Sequence, residues 1–150
     1  MNSITGADKE EWETMMRSIS KVMLVDVHKR VQPLLDRHGL SKLHLGYLKM
    51  LLDGPATLKT LTQELCVDKA NTTRAIIGLR ESGLIDDDRE DDSSRKYNVF
   101  LTPKGRELAE EMNAIMDKAF DVYTKGISRE EMHALLQTFK KIQKNVENSN

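Results

Sequence analysis

One cysteine, three prolines and 5% aromatic residues in 150 positions are the scarcities of this sequence. A single cysteine closes no internal disulfide and supplies too few thiolates for a structural zinc site. No stretch approaches the ~20 apolar residues that a membrane-spanning helix needs. Met1–Glu13 has neither the basic start nor the apolar run of a signal peptide, so the expectation is a soluble, cytoplasmic protein with no membrane partner. Charge of one sign is missing too, since 23 basic residues against 24 acidic ones leave −1. With 39% hydrophobic content this balance excludes a disordered chain. Gly-rich phosphate loops, nucleophile elbows and paired carboxylates in a plausible cleft are absent as well, so no enzyme and no cofactor is expected. The length suits one domain over residues 1–150.

What is present is helical periodicity. From Glu10 to about Arg37, Trp12, Met15, Met16, Ile19, Val22 and Met23 recur at steps of three and four, the period of an amphipathic helix. Pro33 is expected to kink or restart it. Ser41 is a plausible N-cap for a helix carrying Leu45, Leu48, Leu51 and Leu52, which Gly54-Pro55 ends. Thr57 caps a short helix with Leu58, Leu61 and Leu65 on one face. After the Cys66-Val67 turn, Asp68 caps a polar-faced helix that runs to about Ser82 and stops at Gly83. Leu84-Ile85, and then Tyr97, Val99 and Leu101 in alternation, predict a hairpin with a long loop from about Asp87 to Ser94. Thr102-Pro103 opens a helix with the stripe Leu108, Met112, Ile115, Ala119 and Val122. Ser128 and Glu131 form a capping box before a last helix with Met132, Leu135, Leu136, Phe139, Ile142 and Val146 apolar.

This order predicts a mainly α fold with a small β-hairpin: a helix-turn-helix at about 58–82 and a wing at about 84–101. The terminal helices, about 10–37 and 103–147, carry more apolar stripe than a small lobe can cover, which suggests a homodimer interface.

The segment from Leu40 to Met112 resembles the MarR family of prokaryotic winged-helix transcriptional regulators. The matching phrases are Gly54-Pro55-Ala56-Thr57, the recognition-helix phrase VDKANTTRAIIGLRESGLI from Val67 to Ile85, and Arg95 followed by Leu101-Thr102 and PKGREL. The resemblance implies a homodimeric, sequence-specific regulator of double-stranded DNA, most often a repressor, on a pseudo-palindromic operator. The family usually has an Asp two residues before the wing Arg. Ser93 stands there instead, with Asp92 one position early.

A helix in the major groove reads base edges with short polar and bidentate side chains. Asn71 and Thr72 are assigned to base reading and Lys69 and Thr73 to phosphates, with Arg74 left open between base and backbone. Arg95 and Lys96 sit where a wing reaches the minor groove or its phosphates. The family resemblance also implies release of DNA by a small, often phenolic or anionic effector, and Arg30, His38 and Tyr47 are the residues assigned to line its pocket. Asp86–Asp92, six acids and one Arg, lacks the central Gly and terminal Glu of a calcium loop and is expected to be a solvated turn. Neither the four histidines nor Cys66 forms a metal cluster, and Cys66 is expected to be a small buried residue. Two alternatives stay open: a winged-helix protein-interaction module, which the acidic wing favours, and a metal-responsive regulator.

Overall fold

A computed structural model describes residues 3–150. Helix α1 spans Gly6–Arg37 and starts earlier than the apolar stripe, because Thr5 and Asp8 form a reciprocal capping box. Pro33 neither restarts nor ends it. Only one turn follows the proline, and the lost backbone donor is offset by burial of Leu34 and Leu35 directly after it. The helix closes at Gly39, whose φ of 63° lets the Leu40 N–H reach the Leu35 carbonyl at 2.9 Å.

A 3₁₀ turn over Lys42–His44 leads into α2, Leu45–Leu51. Ser41 begins the 3₁₀ turn rather than α2, whose N-cap is His44, and its N–H is donated to His44 Nδ1 at 3.1 Å. A two-residue strand β1, Ala56–Thr57, precedes α3, Leu58–Glu64, and α4, Lys69–Glu81. Strands β2, Ile85–Asp87, and β3, Asn98–Leu101, follow. The sheet is antiparallel in the order β1-β3-β2, with Ala56 opposite Val99 and Ile85 opposite Leu101. The β2–β3 hairpin thus gains β1 as a third strand on β3; two residues of β1 are too few to show a period in the sequence. Helices α5, Pro103–Tyr123, and α6, Arg129–Glu147, complete the chain.

The structure divides into two units, one running through Asp117 and a second over Lys118–Asn150. The core of the first contains Val31 and Leu35 of α1, Leu48 and Leu51 of α2, Leu61 of α3, Ile76 and Leu79 of α4, and Val99 of β3. Leu108, Ala109 and Met112 of α5 belong to this same core, so this half of the α5 stripe is an internal face and not a free seam. In the second unit the Ser128–Glu131 capping box forms as expected. Leu135, Leu136, Phe139, Ile142 and Val146 of α6 are all exposed. No helix among the described residues is long and apolar enough to cross a membrane.

Candidate nucleic-acid interface

Asp68 sets the start of α4 by accepting the Asn71 N–H at 2.7 Å, and Gly83 ends it with a φ of 72°. Between them the helix has two faces. Thr72, Ala75, Ile76 and Leu79 are buried, while Ala70, Thr73, Arg74, Ile77 and Glu81 are exposed. At 100° per residue these sets lie on opposite sides of the helix.

Thr72, expected to read a base, does not reach the surface. It is fully buried and cannot read a base edge. Its Oγ1 lies 3.1 Å from the Tyr47 hydroxyl and accepts from Thr62 Oγ1 at 2.8 Å. One hydroxyl thus joins α2, α3 and α4, and satisfying it is what permits a polar atom at that depth. The placement follows from spacing, since Thr72 stands four and seven residues before Ile76 and Leu79 on their stripe.

The other assigned residues of α4 occupy its first two turns, with Asn71 half-buried and on another side of the helix from Lys69. Lys69 and Arg74 are exposed, and the Arg74 guanidinium donates to Asn71 Oδ1, which leaves the amide N–H₂ of Asn71 as its remaining polar group. Thr73 donates its hydroxyl to the Lys69 carbonyl at 3.0 Å, so its donor is already in use within the helix. Ala70 and Ile77 are exposed on this outward side too, and their apolar type gives no sign of it in the sequence.

The wing is held to α4 by charge. Asp87 accepts from Arg80 and, at 3.1 and 2.9 Å, from Nε and a terminal nitrogen of Arg89. The Arg89 guanidinium also lies 4.4 Å above the Tyr97 ring. Hydrogen bonding from Arg89 holds the Asp87 carboxyl below its ordinary pKa. Asp88 accepts from the Asn98 backbone N–H at 2.8 Å, and Asp91 from the Ser93 N–H at 2.8 Å. Asp86 accepts the Asp87 N–H at 2.8 Å, so four of the six acids accept hydrogen bonds within the wing. Among the described residues neither Asp92 nor Ser93 bonds Arg95. Arg95 and Lys96 project from the loop exposed, with no ion pair among those residues.

Behind the wing, Thr102 Oγ1 donates to the Gly83 carbonyl at 2.7 Å and accepts the Gly105 N–H at 3.1 Å. A Cβ on Gly105 would lie 1.8 Å from the Leu84 carbonyl oxygen. Glycine is required there, and it brings α5 against the exit of α4.

The residues assigned to an effector pocket do not converge. Tyr47 is buried, with its hydroxyl on Thr72, so it faces the core. Arg30 pairs with Asp26 at 2.6 Å, and His38 is the half-buried C-cap of α1. An open groove of about 450 Å³ lies instead along Val25, His28, Lys29, Gln32, Pro33, Asp36 and Lys42. Burial, and then the Lys42 ammonium, hold the His28 imidazole below its ordinary pKa. Cys66 is exposed, not buried. No group of three His, Cys, Asp or Glu suited to a metal occurs among the described residues.

No model of a known protein family matches the chain. Solved structures do match. A transcriptional regulator of the MarR family from Silicibacter pomeroyi superposes with a TM-score of 0.73 at 25% identity, over 89% of this chain and 91% of that one. The chain has the MarR-family winged-helix fold. A MarR protein from Peptoclostridium difficile gives a TM-score of 0.69 at 25% identity, over 99% and 93% of the two chains. NadR, solved in complex with 4-hydroxyphenylacetate, gives 0.65 at 17% identity, over 95% and 96%. In MarR terms α3 and α4 are the helix-turn-helix, and β2–β3 with its loop is the wing.

Proposed function

We propose that this protein is a transcription regulator that binds double-stranded DNA sequence-specifically as a homodimer and acts as a repressor. The observation that carries the reading is the division of α4. Its inner face is locked by Thr72, Ile76 and Leu79, while Lys69 is exposed at the helix N-terminus, where the backbone favours phosphate, and Arg74 is exposed just beyond the first turn. Arg95 and Lys96 extend the basic surface from the wing. The homodimer is supported by apolar side chains left in water: Trp12, Met15, Ile19 and Val22 on α1, and Leu135, Leu136 and Phe139 on α6. Two-fold symmetry then sets half-sites about one helical turn, ~34 Å, apart on a pseudo-palindrome. An anionic aromatic effector, of the kind NadR holds, suits the groove bearing His28, Lys29 and Lys42, and would act by favouring one spacing of the reading heads.

Selection from random duplex DNA, followed by anisotropy titration of the winner across a salt series, tests this. A palindromic winner whose affinity falls steeply with salt is expected. No enriched sequence would instead favour the protein-interaction module, for which the exposed acids Glu90, Asp91 and Asp92 on the wing speak.

A further inference from the structure

The outward face of α4 is less polar than a DNA-reading surface needs to be. Ile77 is 47% exposed although its neighbour Ile76 is 2% exposed, so one of two adjacent isoleucines completes the core and the other has no place in it. Ile77 shares its stripe with Ala70, seven residues earlier, and with Thr73, four residues earlier. The Thr73 hydroxyl is turned back onto the Lys69 carbonyl, which leaves a methyl as the group this side chain offers. Three apolar groups at helical spacing thus run beside Arg74. They neither donate nor accept hydrogen bonds, so they have nothing to offer a phosphate or a polar base edge. The apolar feature that the major groove displays is the C5-methyl of thymine.

We infer that Ile77, aligned with Ala70 and the Thr73 methyl, is a specificity-determining residue that reads thymine methyl groups in each half-site. The inference rests on the DNA-binding reading above and names what that helix face selects. Arg74 at its side supplies the charge that brings the helix to the groove, and the methyl strip decides which base pairs it accepts.

The test starts from the duplex selected by the wild-type protein. Each thymine of one half-site is replaced in turn by uracil, which removes only the C5-methyl. Affinities are measured by anisotropy for the wild type, Ile77→Ala and Ile77→Gln, with folding checked by thermal melts. At one or two positions uracil is expected to weaken wild-type binding about fourfold, the effect of one methyl-sized apolar group. In both variants the penalty at those positions should largely disappear. Equal uracil penalties in all three proteins, or none in the wild type, overturn this inference while leaving the DNA-binding reading intact. If no duplex is enriched at all, both fall together.

Discussion

At the scale of single residues, two side chains show what position costs and contributes. Thr72 looks like a DNA contact by type, yet its hydroxyl is the buried meeting point of Tyr47 and Thr62. Thr72→Val keeps the shape and takes from the buried Tyr47 hydroxyl its Thr72 partner, while Thr62 keeps the Leu58 carbonyl at 2.7 Å, so it should destabilise the fold by about 1–3 kcal/mol. DNA affinity of the folded fraction should change less than twofold; a large affinity loss at unchanged stability would return Thr72 to the interface. Cys66 has a φ of 51°. It closes α3 as a glycine commonly does, with the Cys66 N–H on the Gln63 carbonyl and the Val67 N–H on the Thr62 carbonyl, both at 3.2 Å. The left-handed conformation costs an L-residue ~1–2 kcal/mol, while glycine's extra backbone entropy costs ~0.5–1. Cys66→Gly should therefore stabilise the protein by about 0.5–1 kcal/mol, read as a higher urea midpoint; a lower midpoint contradicts the argument.

At the scale of elements, the joints around α4 decide where that helix sits. Gly105 brings α5 to within contact of the Leu84 backbone, where a Cβ has no room. Because the obstructing atom is a backbone carbonyl and not a movable side chain, Gly105→Ala should cost ~3 kcal/mol or more, at or beyond the upper end of ordinary overpacking. It should also shift the amide resonances of residues 82–86 and 102–106; an unchanged spectrum and melting point would mean the joint is looser than described. On another side of α4, His44 lies against Gly78, its Nε2 3.1 Å from where a Cβ would stand. Its Nδ1 accepts the Ser41 N–H, which requires an unprotonated nitrogen. Burial lowers the His44 pKa, so below about pH 6.5 the unfolded chain takes up a proton that the folded chain resists. Stability should fall as pH drops from about 6.5 toward the folded-state value, and the decline should be shallower in His44→Gln. Identical pH profiles in chemical denaturation would remove this role.

At the scale of the whole molecule, the apolar stripes of α1 and α6 remain exposed in the single chain, whereas those of α2, α3 and α4 are spent on the internal core. Phe139 is 44% exposed, and a substitution at such a site in a true monomer usually changes stability by no more than ~0.5 kcal/mol. If the proposed homodimer uses this face, Phe139→Glu should nevertheless produce monomers in sedimentation equilibrium and lower the melting temperature, and the concentration dependence of that temperature should vanish. A variant that sediments like the wild type would exclude α6 from the dimer interface.

Local signals in the sequence determined where most elements begin and end: the caps at Thr57, Asp68, Thr102 and Ser128, the stops at Gly39 and Gly83, and the alternation of Val99 and Leu101 in the wing. Caps, breakers and periodicity act within a few residues, so the chain carries them openly, and with the resemblance they were enough for the winged-helix fold. Tertiary structure alone decided how side chains of similar type divide between core and surface. Tyr47 and Thr72 turned inward because each satisfies the other's hydroxyl, Asp87 became the clasp between Arg80 and Arg89, and Leu108 was taken up by its own core. Ile77 was left outside because its helix had already filled the core with Ile76. The stripe of Ile76 and Leu79 already places Thr72 inward, but its partner Tyr47 lies 25 residues away, and which of two like side chains the core accepts is decided by packing between elements rather than by local pattern.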